Sequence, residues 1–343
     1  MNAFVAAFLA QDGLSNGAIY CLLAIALVLM FAVTRIIFIP QGEFISYAAL
    51  SYGALREGRV PGTVGFLLVL AACTVVLDLL GTSAGMRMAS LRRLPRRVAP
   101  ALVLSALALL SARLHLPAVV DALITIAMVA CMGPMLFRIV FRRLAQASSL
   151  VLLIVAVALH LVLLGLGLYF FGPEGVRTDP LFDMNFVLNG LPIKAQTLVI
   201  LATCLVLVGV LFVISERSLT GKALRAAAIN PIGARLMGIS AELSGETAFL
   251  VAAFIGGVSG VLISSATTIY YDSGFLLGLK GFVAGILGGL ASFPVAAIGA
   301  IGLGLLESYA SFYASAFKET IVFSLIIPIL LWRSLAQPGK GAH

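Results

Sequence analysis

Apolar runs close to the length of a bilayer core recur along this chain, at about 13–34, 43–55, 63–80, 98–114, 118–137, 148–171, 195–215, 246–270, 279–290, 295–309 and 319–333. A helical span needs roughly 20 mainly apolar residues, and the chain supplies that length many times over. Composition agrees: 62% of residues are hydrophobic and 10% charged, against about 25% charged in soluble domains. The pattern predicts an all-α, polytopic bundle of transmembrane helices in one domain over 1–343, with no room for a large soluble domain. The runs at 43–55 and 279–290 are too short to cross upright. Half-length segments at membrane depth are tolerated where protein buries them or where they line a cavity. Both therefore read as pore-lining or re-entrant elements, giving about nine to eleven membrane segments.

Charge sets the sidedness. The net charge is +8, and lysine and arginine collect in cytoplasmic loops. Arg35, the cluster Arg87, Arg92, Arg93, Arg96 and Arg97, then Arg138, Arg142 and Arg143, the cations of 217–246, and Arg333 with Lys340 fall on one side. That places 217–246 and the C-terminus in the cytoplasm and the N-terminus outside. Nucleic-acid binding is the weaker account of the charge. The N-terminal MNAFVAAFLAQDGL lacks a basic segment and an A-x-A site, and is not read as a cleaved signal. The stretch LRRLPRR at 91–97 could hold anionic lipid headgroups, although a topology anchor is the simpler reading.

The polar island 217–246 interrupts the apolar pattern with Arg217, Lys222, Arg225 and Arg235. It punctuates its own short helix: Asn230 suits an N-cap, Pro231 the first helical position and Gly238 the C′ position. A helix held out of the membrane in this way needs a partner on the cytoplasmic side.

Catalytic chemistry is missing from the motifs. TGKA at 220–223 lacks the upstream glycine and the hydroxyl of a Walker A loop. There is no HExxH, and His115, His160 and His343 form no constellation in sequence. Cys21, Cys73, Cys131 and Cys204 lie in apolar runs without CxxC spacing, so neither a metal site nor a disulfide is expected. GVSG at 257–260 has the form of an intramembrane serine protease motif, but Ser259 has no base downstream before the terminal histidine. Gly256 and Gly260 serve better as a small-residue face for close helix packing. Glycine spacing continues through Gly281, Gly285 and Gly289, and GGLASFP at 288–294 is expected to break its helix at Pro294. Ionisable residues inside apolar runs are functional suspects by default: Glu43, Asp78, Lys280 and Glu307, with Asp272 at an outer edge. Such a small set argues against an ion-coupled pump. Asp78 is expected to face the basic loop.

Three segments resemble one family. GLSNGAIYCLLAIALVLMFAVTRIIFIPQGEF at 13–44, GKALRAAAINPIGARLMGI at 221–239 and GFLLGLKGFVAGILGGLASFPVAAIGAIGLGLLES at 274–308 are similar to the LivH-like permeases of branched-chain amino acid ABC transporters. The likeness covers about 10–60 and 120–337. Where the family pattern reads N-F-A-H-G-D, this chain has Phe38, Ile39, Pro40, Gln41, Gly42 and Glu43, losing the Asn and the His. The region 60–117 looks like an insertion.

The resemblance implies a permease subunit that pairs with a second permease, LivM-like or identical, and rests on cytoplasmic ABC ATPase subunits. A periplasmic solute-binding protein would deliver cargo. The subunit itself would hold no cofactor, since ATP binds the separate ATPase, and no metal. Its location would be the bacterial inner membrane. Within the coupling loop 217–245, the ATPase coupling helix is placed on Asn230, Pro231, Ile232, Gly233, Arg235, Leu236, Met237 and Gly238, with Ile232, Leu236 and Met237 as its apolar contact. The EAA signature of ABC importers is degenerate here, as Ala226, Ala227 and Ala228 precede Gly233. The translocation path is placed on Gln41, Glu43, Lys280, Gly281, Gly285 and Glu307. Branched-chain or related amino acids are the expected cargo, with urea, short amides or other small organic solutes as alternatives. An ion-coupled secondary transporter and a lipid-binding scaffold are the rival classes.

Overall fold

The computed structural model describes residues 3–80, 87–144, 147–180, 185–188, 191–287, 293–329 and 331. Among them, eight helices are long and apolar enough to cross a membrane. In chain order the helices are α1 (Ala3–Thr34), α2 (Glu43–Arg56), α3 (Gly62–Leu80), α4 (Arg87–Leu114), α5 (Ala118–Leu136), α6 (Ser149–Phe171), α7 (Ala195–Arg217), α8 (Leu219–Ile229), α9 (Pro231–Leu236), α10 (Ala241–Ile263), α11 (Ser273–Leu287), α12 (Phe293–Tyr313) and α13 (Lys318–Ser324). The two short runs expected from the sequence are α2 and α11.

α2 is too short to reach both membrane faces and is buried on all sides over most of its length, as a half-length segment must be when lipid cannot satisfy its ends. A 3₁₀ turn, Ile39–Gly42, leads into it, with Pro40 near the start where its missing N–H is harmless. α11 crosses this turn backbone to backbone. A Cβ on Gly42 would overlap the carbonyl of Gly274 and come within 2.8 Å of the Gly278 nitrogen. Helices in lipid associate through packing and hydrogen bonds rather than hydrophobic burial, so small residues at crossings set how closely they can lie. The same device seats α10 on α2, where a Cβ on Gly256 would lie 2.6 Å from the Phe44 Cβ and one on Gly260 2.6 Å from the Ala48 Cβ.

α1 and α12 run antiparallel. Gly13 abuts Leu305, Gly17 abuts Ile301, and Ser308 and Tyr309 donate to the carbonyls of Leu9 and Ala6. Pro294 stands in the first turn of α12, where proline is favoured. The break expected within 288–294 falls largely on 288–292, outside the described residues.

α3 and α4 form a hairpin against α5 and α6. α3 buries Thr63, Phe66, Leu67, Leu70, Ala71 and Thr74, one stripe at helical spacing, and leaves Leu68, Val69, Val76 and Leu80 exposed. The segment between α6 and α7 departs from an all-α reading only locally: β1 (Asn185–Leu188) and β2 (Leu191–Lys194) pair antiparallel.

Candidate functional site

The island folds as its local signals predict. Ser218 caps α8 by accepting from the Gly221 N–H at 2.9 Å, and Asn230 caps α9 by accepting from the Gly233 N–H at 2.9 Å. α9 closes on Gly238 at φ +83. The Ile239 N–H reaches Ala234 O and the Gly238 N–H reaches Arg235 O, each at 3.0 Å, which is the Schellman arrangement that a left-handed glycine completes. Both ends of a six-residue helix are thus satisfied without a partner. Only Ala234 of α9 is buried. Ile232, Leu236 and Met237 are 74%, 84% and 83% exposed, with Pro231 and Arg235 also outward.

α8 holds this helix in place. Its buried Gly221, Leu224 and Ala227 form one face, and Arg225 reaches Glu216 at 2.6 Å and Ser215 Oγ at 3.2 Å on α7. Arg35, at the end of α1, donates to the Ala228 carbonyl at 3.3 Å. Arg35 and the island therefore share one face of the bundle. Gln11, which donates to Thr197 Oγ1 at 3.3 Å, lies toward the other end of α1.

The predicted path residues separate into two clusters. Lys280 Nζ lies 2.6 Å from Glu307 Oε1 and 3.1 Å from Glu319 Oε1, while the Tyr20 hydroxyl donates to Glu307 Oε2 at 2.6 Å. This joins α1, α11, α12 and α13 through one buried lysine. Gly281, beside it, takes the Leu23 side chain against its Cα, and Gly285 is buried on the same helix. In the second cluster Gln41 donates to the Ala252 carbonyl at 2.9 Å, and Glu43, 1% exposed, has His160 Nδ1 3.0 Å from Oε1. α6 carries His160 to Glu43 across 117 residues of sequence, and the imidazole stacks on Phe275 with centroids 4.7 Å apart. Next to these residues an apolar cavity of about 250 Å³ is lined by Leu27, Phe38, Ile39, Phe275, Gly278 and Phe282, among others.

Three further ionic contacts tie the helices together. Asp121, fully buried, accepts from Ser111 and lies 3.2 Å from Arg56 Nη1, tying α5 to α4 and α2. Arg138 clasps Glu246 with two nitrogens, one of them at 2.6 Å. Asp78 meets Arg97 at 2.6 Å, so it does face the basic segment. The other arginine side chains of 91–97 lie outside the described residues, as do Arg333, Lys340 and His343. Among the described residues no group of three His, Cys, Asp or Glu could hold a metal.

The family model for the branched-chain amino acid transport system permease component matches residues 9–332. The high-affinity branched-chain amino acid transport system permease protein BraD of Pseudomonas aeruginosa is 30% identical over 224 residues, covering 63% of this chain and 73% of that protein. LivH of Escherichia coli K12 is 29% identical over 201 residues, 57% of this chain and 65% of its own length. A probable LivH from Methanocaldococcus jannaschii is 31% identical over 196 residues, 54% and 61% respectively. The chain thus aligns with 61 to 73% of these relatives' lengths. No solved structure matches it. A multi-pass helical bundle matched over nearly its whole length by one family model leaves a single assignment: the chain belongs to the family of branched-chain amino acid transport system permease components.

Proposed function

We propose that this chain is the membrane permease of an ABC importer for branched-chain or chemically similar amino acids, driven by a separate ATPase through α9. The observation that carries the reading is the exposure of Ile232, Leu236 and Met237 on a fully capped helix outside the membrane spans. Exposed apolar patches rimmed by polar residues mark protein contacts, and this patch is flanked by the exposed Asn230 and Arg235. No Walker loop is present in the sequence, so the energy enters from a partner.

The mechanism is alternating access. Closure of an ATPase dimer shifts α9 and its mate on a second permease, and the close glycine crossings pass that movement to the short segments α2 and α11. The cavity beside Phe275 and Gly278 is apolar, as suits the aliphatic side chain of the cargo. Selection among solutes rests mainly with a periplasmic binding protein. The positive-inside rule places the island and the C-terminus in the cytoplasm and the N-terminus outside, in a bacterial inner membrane. The hairpin of 60–117 is an addition to the permease core.

Two observations weigh against a secondary transporter. Lys280 and Glu307 satisfy each other, and the Glu43 and His160 side chains face one another rather than an open chain of acids. Reconstitution of the permease with ATPase subunits and binding protein in proteoliposomes tests the reading. Leucine uptake should require ATP and all components, whereas solute-driven uptake by the permease alone would overturn it.

A further inference from the structure

The C-terminal end of α5 is not a plain helix end. Pro134, inside the last turn, has no N–H to give to the ladder. The chain then widens into a π-turn, Phe137–Phe141, in which the Arg142 N–H bonds back to Phe137 O. Such turns alter which face successive side chains present and occur often at functional sites. Here the turn lays Arg138 and Arg142 against the start of α10, where Glu242 and Glu246 are likewise four residues apart. Because α5 and α10 are antiparallel, the pairs form two rungs: Arg138 with Glu246, and Arg142 Nε with Glu242 Oε1 at 2.8 Å.

Arg142 also faces the other way. Its Nη1 lies 3.7 Å from Asp78 Oδ1, near the end of α3, and Asp78 is held in turn by Arg97 of α4 at 2.6 Å. One guanidinium therefore touches both the α3–α4 hairpin and the first turn of α10. Glu242 is six residues beyond Leu236, the last residue of α9, with only the Schellman turn and the Ser240 cap between them. Arg97, Arg138 and Arg142 meet Asp78, Glu242 and Glu246 at the membrane end that bears the island. Behind the rungs the rings of Phe137, Phe141 and Phe38 pack on Phe249, with centroids 5.1, 5.5 and 4.9 Å away. Phe38 adjoins the 3₁₀ turn that enters α2.

We propose that Arg142 is a positioning residue through which the α3–α4 hairpin bears on the coupling loop, so that the hairpin sets how fully movement of α9 is transmitted to the buried segment at Gly42 and Glu43. This rests on the reading of α9 as the ATPase contact. Arg142 touches no cargo and no nucleotide in this account. Its effect is to fix the angle at which α10 leaves the loop.

The test uses the complete transporter, with its ATPase subunits, in nanodiscs, and reads the ratio of ATPase rate with leucine-loaded binding protein to the rate without it. Arg142→Glu should lower that ratio at least about fivefold, the lower range of allosteric coupling, with ATPase co-purification unchanged. Arg142→Glu combined with Glu242→Arg rebuilds the rung to α10 but sets a carboxylate against Asp78, so it should keep the ratio low, as in the hairpin variant. Arg142→Lys, which keeps the charge but not the two-sided reach, should fall between. Asp78→Asn with Arg97→Gln, which takes the hairpin's carboxylate away from Arg142, should lower the ratio while leaving the Arg142 and Glu242 rung intact.

An unchanged ratio in Arg142→Glu, a swap that restores the wild-type ratio, or a wild-type ratio in the hairpin variant would each overturn the proposal. Loss of ATPase recovery in Arg142→Glu would also overturn it, by making the residue part of the dock. The underlying reading fails separately, if Ile232→Asp with Leu236→Asp leaves ATPase recovery at the wild-type level.

Discussion

Gly42 and Gly274 meet with no space for a side chain between them: a Cβ on Gly274 would come within 2.7 Å of the Gly42 carbonyl carbon. The contact fixes the 3₁₀ turn before α2 against the first turn of α11, the two half-length segments of the bundle. Gly42→Ala forces backbone apart rather than a pliable side chain. Overpacking costs about 1–3 kcal/mol in ordinary cores, and a backbone clash belongs at or above the top of that range. Gly302→Ala, where a Cβ meets nothing within 4 Å, should be neutral. Thermal unfolding of the two detergent-solubilised variants measures the contrast.

Lys280 and Glu307 are both more than nine-tenths buried and 2.6 Å apart. Removing one partner of such a pair strands the other, at about 3–5 kcal/mol. Lys280→Met should therefore fold poorly. Glu307→Gln should be milder, because the amide oxygen still accepts from the Tyr20 hydroxyl. Lys280→Met with Glu307→Gln should recover part of the lost stability. Melting temperature read beside leucine uptake decides the role: uptake falling with stability marks a structural pair, while uptake lost at full stability marks a path residue.

His160 and Glu43 offer a second pair, made across the chain by α6 and the start of α2. A double-mutant cycle with His160→Leu and Glu43→Gln should show coupling of about 0.5–3 kcal/mol. The double variant should be more stable than His160→Leu, in which a carboxylate is left buried alone. Additive losses would show that the two side chains do not interact.

Sidedness is open to direct measurement. In a background without the four native cysteines, Met237→Cys should react with a membrane-impermeant maleimide only after the cytoplasmic face is opened. Tyr169→Cys, exposed near the far end of α6, should react in intact spheroplasts. The reverse pattern would invert the orientation.

Local chain chemistry makes α9 legible in the amino-acid sequence. Asn230, Pro231 and Gly238 act within one or two turns of themselves, and each occupies the position its conformational preference favours. The short elements α2 and α11 are legible from run length, and Gly256 and Gly260 from their spacing. Long-range pairs are not. His160 meets Glu43, and Arg138 meets Glu246 108 residues away, because the bundle brings the helices together; nothing near either residue signals its partner. Asp121 stands out as an acid inside its apolar run, but nothing near it signals that it ties three helices. Helices such as α6, apolar on nearly every side, carry no periodic stripe to show which face turns inward, so their neighbours cannot be read from pattern. The lost histidine of the 38–43 motif illustrates the point: an imidazole stands beside Glu43 after all, supplied by another helix.

The most direct test of the account is ATPase recovery with the affinity-tagged permease co-expressed with its ATPase subunits. Ile232 and Leu236 lie on the exposed face of a helix whose caps do not depend on them, so Ile232→Asp with Leu236→Asp should leave the permease folded and membrane-inserted. The account predicts that this variant recovers no more than about a tenth of the wild-type ATPase, the loss expected when apolar anchors worth about 1.4 kcal/mol or more are removed from an interface. Recovery equal to wild type, from a permease of unchanged melting temperature, would contradict it.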